Sequence, residues 1–569
     1  MVQTLQHHST GPGEFEDEDE QRRLSVFHLV GLAAGGVIGS GWILGADEAF
    51  RTAGSDAYLA WLFGGLLMLL IAAVMVELGT AAPKTGGLVF LPLQSSGALV
   101  ATVVAAGLWI FYAINLASEA VAMTKGVAQW VGGLLDRSAT LTPKGWCYAL
   151  TFMAVIAAVN LIAPRIFFRI NSWLTVLKIV IPVLAVVLLI AAGFGHDGAP
   201  AGGHTRGMGA DAALTAVVGS GVIYAYVGFQ GPLDLAGNIK RRGIGEAARL
   251  RRAVFGTIVG SMVLYISLQV VFTRYAATWS PSVDESSPYA HFARIASLMW
   301  LGWLLRIAAV VSPMGAGLVF AHAVTREVAA LSRAHLTHRG LQTARKATLN
   351  RRYDVYWLVL LVDFFIAGTV LVAVGGRWDT LVEITGVLTL VVYAVPGVVL
   401  VSLRPYLTGC SRRRRGVHEV LARASFALIA LILYGAGWAP LWRGMLTLTV
   451  GCVLLLFLPI LARWLPAFGR IYDAKVHVTL FRDWRTSPAA QAALWLIGHF
   501  AVLTLLTLLG NSSVGMDDKK LLGGLAVLTA LVSFEGLVAA SRRHMTEVAP
   551  MLPAPGAGPA APEASAASG

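Results

Sequence analysis

The sequence predicts an all-α polytopic membrane protein that crosses the bilayer through about fourteen helices. Three observations carry that expectation. Charged residues make up only 13 % of the 569-residue chain and hydrophobic residues 56 %, whereas a soluble domain carries about 25 % charged residues. The apolar residues gather into blocks about 20 residues long, the length a helix needs to cross the hydrocarbon. Lysine and arginine collect in alternate connections between the blocks, as cytoplasmic loops do.

In chain order the blocks span residues 26–50, 57–81, 98–130, 146–163, 171–193, 211–236, 253–273, 292–325, 354–374, 381–401, 420–436, 441–462, 490–510 and 521–539. The third and eighth are long enough to tilt or to run past the membrane surface. Residues 1–23 are polar and acidic, with Glu14, Glu16, Asp17, Glu18, Asp19 and Glu20. A cleavable signal opens on basic residues before a short apolar core, so the first block is expected to be a retained spanning helix behind a disordered cytoplasmic tail. Residues 547–569, rich in Ala, Pro, Gly and Ser, are expected to form a second disordered cytoplasmic tail.

The charges between blocks test the count. The connection after block six holds Lys240, Arg241, Arg242, Arg249, Arg251 and Arg252, and the one after block eight holds seven basic residues from Arg326 to Arg352. The connection after block ten carries the run Arg412 to Arg415, and the one after block twelve has Arg463, Arg470, Lys475, Arg482 and Arg485. The opposite connections are poor in basic residues; the one after block seven has Asp284 and Glu285 instead. A wrong count would break the alternation, so an even number of crossings with both termini cytoplasmic is expected.

The net charge of +13 would suit a nucleic-acid partner in a soluble chain. Here the basic runs lie between apolar blocks, without interleaved aromatic platforms or zinc-ligand spacing, so no nucleic acid is expected. Cys147, Cys410 and Cys452 form no CxxC pair, which argues against a disulfide framework or a cysteine-held metal. No phosphate-loop lysine, HExxH or nucleophile–base spacing is evident, so no enzyme, catalytic residue, cofactor or metal is expected. No repeated filter sequence suggests a channel.

Two blocks are interrupted. The first contains Gly35-Gly36-Val37-Ile38-Gly39-Ser40-Gly41-Trp42, and glycine weakens a helix by about 1 kcal/mol per residue relative to alanine. Such glycines also serve tight helix packing in membranes. The sixth block contains Gly219-Ser220-Gly221, then Tyr226-Val227-Gly228-Phe229-Gln230-Gly231-Pro232, in which Pro232 disfavours helix before it. Matching breaks five helices apart are the pattern of an inverted-repeat transporter whose substrate site uses the freed backbone groups.

These residues carry a family resemblance. Gly36 to Trp42 resembles the first-helix signature of the amino acid–polyamine–organocation (APC) superfamily of permeases. Glu77-Leu78-Gly79-Thr80-Ala81-Ala82-Pro83-Lys84-Thr85-Gly86-Gly87 resembles that superfamily's second-helix end, and Tyr226 to Phe229 its sixth-helix break; the likeness covers roughly residues 24–465. It implies a five-plus-five inverted-repeat (LeuT-like) transporter fold with alternating access. Residues 24–193 and 211–401 would be the two repeats, with further helices at 420–462 and 490–539. It implies an amino acid substrate whose charged ends meet Ile38, Gly39, Ser40 and Gly41, with Tyr226, Val227 and Gly228 opposite. The ring of Tyr226 or Phe229 would gate the site or face the amine, or only pack in the bundle. Gln230 stands where many relatives have an acidic residue, and Gly237 and Asn238 where many have glutamates, with Asp234 nearby, so the match does not imply a cationic substrate. The Gly39 to Trp42 wording and the fourteen blocks resemble proton-coupled acidic amino acid symporters of bacteria, which implies a bacterial plasma membrane. The expected function is amino acid import by proton symport. The alternatives are an amino acid exchanger, a polyamine transporter, or a membrane nutrient sensor that does not transport.

Ionisable residues inside a span are costly and mark function by default. Lys178 lies midway along the fifth block with no acidic residue near it in sequence. A lysine buried without a partner holds its proton less tightly, so Lys178 is the candidate proton carrier. The resemblance adds that some proton-coupled members place a lysine there, where it would bridge helices one, five and eight. The alternative is a structural lysine paired with Asp363 or Glu119. Glu48, Lys125 and Glu383 suit snorkelling to the headgroups.

The topology is checked by single cysteines at Gly13, Asp284 and Ser565 in a background lacking Cys147, Cys410 and Cys452. An impermeant reagent outside the cell is expected to label position 284 alone; labelling at 13 or 565 would overturn the arrangement.

Overall fold

The computed structural model describes residues 26–82, 87–136, 139–162, 164–194, 207–234, 245–279, 287–334, 336–346, 354–406, 412–464, 484–511 and 516–548. The expected tails at 1–23 and, but for its first two residues, 547–569 lie outside them, as do Pro83 to Gly86, Gly237, Asn238, Asp284 and Glu285.

The described residues are almost wholly helical. The first block becomes α1 (Val26–Val37) and α2 (Gly41–Ala53), and the second is α3 (Ala57–Ala81). A short α4 (Gly87–Ser96) precedes α5 (Ala98–Ala128), α6 (Pro143–Ile162) and α7 (Pro164–Phe194). The sixth block is cut into α8 (Gly209–Gly219), α9 (Val222–Tyr226) and α10 (Gly231–Asp234). Then follow α11 (Gly245–Tyr275), α12 (Pro288–Ile295), α13 (Met299–Arg333), α14 (Trp357–Ala373) and α15 (Trp378–Leu403). The chain continues through α16 (Arg412–Gly435), α17 (Trp438–Trp464), α18 (Pro488–Asn511) and α19 (Met516–Val548). Between α13 and α14, Arg345–Lys346 pairs antiparallel with Asp354–Val355.

Among the described residues, eleven helical stretches are long and apolar enough to cross a membrane. One of them, Leu29–Ala81, runs through α1, α2 and α3, and α8 and α14 are shorter apolar helices. The protein is therefore an all-α polytopic membrane protein. Burial separates centre from rim. The most apolar stretch of α5 is 94 % buried and that of α15 is 100 % buried, against 28 % for α6 and 33 % for α7 and α17. The inner pair thus forms the axis, and the outer helices turn apolar faces to lipid. α7 shows the division along one helix. Asn171, Thr175, Lys178, Ile181, Ala185 and Leu189 are buried at helical spacing, while Trp173, Leu177, Val180, Val183 and Val187 are exposed.

Three details differ from the sequence reading. α4 is an extra helix, set off from α5 by Gly97 at φ +89° and joined to α19 by the Ser541–Ser96 hydroxyl bond of 2.8 Å. The block at 292–325 is two helices. Ser287 caps α12 with Pro288 in its first turn, Ser297 at φ +58° ends it, and α13 begins at Met299. Hydropathy alone passes over that junction, because the residues on both sides are apolar. The arginine run 412–415, expected as a loop, is the first turn of α16; arginine is a good helix former.

The two broken helices touch at glycines. A Cβ on Gly228 would lie 2.7 Å from the Gly36 Cα, and one on Gly36 would lie 2.9 Å from the Gly228 Cα. Gly228 also has φ +122°, open essentially to glycine alone. Gly228→Ala is expected to lower the thermal unfolding midpoint in detergent, at a cost of about 1–3 kcal/mol from backbone strain before the clash is counted. Gly260→Ala in α11, where a Cβ meets nothing within 4 Å, is the control and should be neutral or slightly stabilising. Equal midpoints for the two variants would contradict the contact.

Candidate functional site

The first break leaves Ile38, Gly39 and Ser40 between α1 and α2. Backbone groups freed at such depth must be met by protein or a wet cavity, and side chains from three other helices meet them. The Val37 carbonyl accepts from the Tyr265 hydroxyl of α11 at 3.0 Å. The Ser312 hydroxyl of α13 lies 3.1 Å from the Ile38 carbonyl oxygen and 2.9 Å from that of Gly39, and itself accepts from the Trp42 indole at 3.1 Å. The Ser40 amide donates to the carboxylate of Glu119 in α5, at 3.0 Å to Oε2 and 3.3 Å to Oε1.

Glu119 thus sits at the N-terminus of α2, where the helix dipole favours an anion. Its Oε1 also accepts from the Tyr224 hydroxyl at 2.8 Å. The Tyr224 oxygen is 2.8 Å from the Ser118 hydroxyl and 3.3 Å from that of Ser40, which accepts from the Trp378 indole at 3.2 Å. Glu119, Ser40 and Tyr224 are all buried. Gly39 makes the arrangement possible, since a Cβ there would overlap the Glu119 carboxylate.

At the second break, Gly221 at φ +74° separates α8 from α9, Val227 is extended, and the Gly228 amide donates to the Gln230 side chain at 2.9 Å. Gly41 rests on Ala225. The Tyr265 hydroxyl, already on Val37, lies 3.2 Å from the Ala225 carbonyl oxygen, so one side chain joins both breaks.

The expected residues divide accordingly. Ile38, Gly39, Ser40 and Gly41 form the first break, and Gly228 lies against Gly36. Tyr226 turns toward α3, where its hydroxyl donates to the Trp61 carbonyl at 2.9 Å. Phe229 packs edge-on against Tyr393 of α15 at 5.7 Å, and Val227 is buried. Of the rings from the sixth block, the one that reaches the first break is Tyr224. Lys178 projects from the buried stripe of α7 and donates to the Gly35 carbonyl of α1 at 2.6 Å. A Cβ on Gly315 of α13 would lie 3.1 Å from its ammonium, so Lys178 stands where α1, α7 and α13 meet. Neither Asp363 nor Glu119 forms an ion pair with it, and both Asp363 carboxylate oxygens are buried without a hydrogen-bond partner. Glu383, expected to reach the headgroups, pairs with Arg443 at 2.7 Å. Asp234 is the last residue of α10, and its side chain lies outside the described residues. Among the described residues no cluster of His, Cys, Asp and Glu is placed to hold a metal.

Sequence reasoning missed Glu119, Tyr224, Ser312, Tyr265 and Trp378 as partners of the breaks. The one available signal was Glu119 itself, a carboxylate near the middle of an apolar block.

The profile of the amino acid permease family matches residues 24–441 of the chain. The chain belongs to that family. The permease is 27 % identical over 529 residues to the glutamate/serine transporter AimA of Bacillus subtilis (strain 168), covering 90 % of this chain and 92 % of that one. It is 25 % identical over 508 residues to the aspartate-proton symporter of the same organism, covering 87 % and 92 %. It is 24 % identical over 343 residues to the L-asparagine permease of Escherichia coli (strain K12), covering 54 % and 64 %. The permease is thus a transporter of small molecules across a membrane rather than an enzyme.

Proposed function

We propose that this permease imports an amino acid by proton symport across a bacterial plasma membrane, through a five-plus-five inverted repeat and fourteen crossings, with both termini cytoplasmic. The carrying observation is the carboxylate of Glu119 held by the Ser40 amide at the N-terminus of α2. A site that binds an internal carboxylate has the donors and dipole to bind that of an amino acid. Substrate would take the Ser40 amide from Glu119, and the Ile38 and Gly39 carbonyls would receive the ammonium once Ser312 releases them. Gly41 and Gly228 keep the two half-helices close, and Tyr226, Val227 and Phe229 back the second break. The relatives are named for acidic, hydroxylated and amide amino acids. What such substrates share is the α-amino acid group, the part a backbone break can recognise.

Proton coupling is assigned to Lys178. Its protonated amine donates to Gly35 and ties α1 to α7 beside α13. Loss of the proton on the cytoplasmic side would turn a charge-assisted bond into a neutral one, which is weaker, and free α1 to move. The neutral amine then takes a proton from the external side before the next substrate enters, so one proton is carried inward per cycle.

The test is uptake by proteoliposomes holding the full chain, from acidic to mildly alkaline external pH, with and without an imposed proton gradient. The native permease is expected to accumulate substrate only with the gradient, and Lys178→Ala to respond to neither pH nor gradient. Gradient-driven accumulation by Lys178→Ala would place the proton elsewhere. Uptake driven by an outward gradient of a second amino acid, and indifferent to protons, would make the permease an exchanger.

A further inference from the structure

The space beside the first break continues beyond the Ser40 amide. Ser40, Ile43 and Leu44 face Lys125 and Gly126 of α5 and Pro313 of α13 across a narrow cleft. Its wall is firm, because a Cβ on Gly126 would lie 2.7 Å from the Ala309 carbonyl oxygen of α13. Apart from the serine, its lining is apolar except for Lys125.

Lys125 is half-buried, and its ammonium has no hydrogen bond or ion pair among the described residues. The charged groups around it are Asp379, Glu48, Arg51 and Asp47. Most are engaged elsewhere: Arg51 pairs with Asp47 at 3.0 Å and Arg377 with Asp379 at 2.5 Å. Glu48 lies beyond pairing distance. A sequestered ammonium without a partner is unfavourable, and an anion entering the cleft would relieve it. The same cleft begins at a serine whose amide already holds a carboxylate.

We propose that Lys125 is the subsite for the side-chain carboxylate of an acidic amino acid whose α-carboxylate lies at the Ser40 amide. This rests on the preceding reading that the break binds an amino acid, and adds what selects the side chain. A side-chain amide is neutral and leaves the ammonium's charge uncompensated, so the site discriminates acid from amide. The competing role for Lys125 is an ion pair with Glu48, made when the cleft changes shape.

The experiment compares binding of L-aspartate, L-glutamate, L-asparagine and L-glutamine to the purified full chain by titration calorimetry, for the native protein, Lys125→Arg and Lys125→Met. The readout is the acid-to-amide affinity ratio within one preparation, which the active fraction does not alter. The native protein is expected to favour the acid by at least about tenfold. Lys125→Arg should keep the preference and Lys125→Met should abolish it; Lys125→Gln replaces the methionine variant should that not fold. A native preference for the amides, or an undiminished acid preference in Lys125→Met, as a Glu48 pair would give, overturns the subsite alone. Binding of none of the four would contradict the amino acid site itself and the subsite with it.

Discussion

A backbone interrupted inside a bilayer has no water to bond to, so each amide and carbonyl freed at the interruption needs a partner from the protein. This constraint organises the centre of the permease. Four consecutive residues, Val37 to Ser40, draw partners from α5, α11 and α13, and Tyr265 extends the same demand to the second break at Ala225. The glycines follow from it. Gly36 and Gly228 let the broken helices touch, and Gly39 lets a carboxylate reach an amide. The deep burial of α5 follows too, since that helix must bring Glu119 to the break across the axis of the bundle.

The two half-helices of the first break each end on a charge of the sign their dipole favours. The last turn of α1 gives the Gly35 carbonyl to the Lys178 ammonium, and the first residue before α2 gives its amide to the Glu119 carboxylate. The break therefore carries an internal ammonium and an internal carboxylate on opposite sides. In the proposed cycle an amino acid competes with one of them and a proton acts on the other. Substrate and proton would then act on a single element, the hinge between α1 and α2, which couples them without a separate relay.

Much of this was legible in the sequence because it is local. Hydropathy located most of the long apolar helices, the Gly35 to Gly41 and Gly228 to Pro232 stretches located the breaks, and the isolation of Lys178 along its block marked it for scrutiny. What the sequence left open is tertiary. Glu119 was weighed only as a partner for Lys178, because nothing local tells which helix faces the Ser40 amide. Tyr226 and Phe229 were candidates to face the site through the family resemblance, but Gly221 interrupts the helix earlier. The single turn of α9 is thereby set in its own phase, with Tyr224 toward the first break. Ser312 and Tyr265 are ordinary helix residues until their neighbours are known. The junction at Ser297 and the helical start of α16 escaped for a simpler reason: apolar runs and arginine runs do not announce where a helix begins.

The central claim is that the Ser40 amide is an anion site held by Glu119 until substrate takes it. The most direct measurement is a cryo-electron microscopy structure of the full chain in lipid nanodiscs with a transported amino acid bound. The account predicts the α-carboxylate within hydrogen-bond distance of the Ser40 amide and the Glu119 side chain turned away from it. An amino acid bound elsewhere, with Glu119 still on the Ser40 amide, would contradict it.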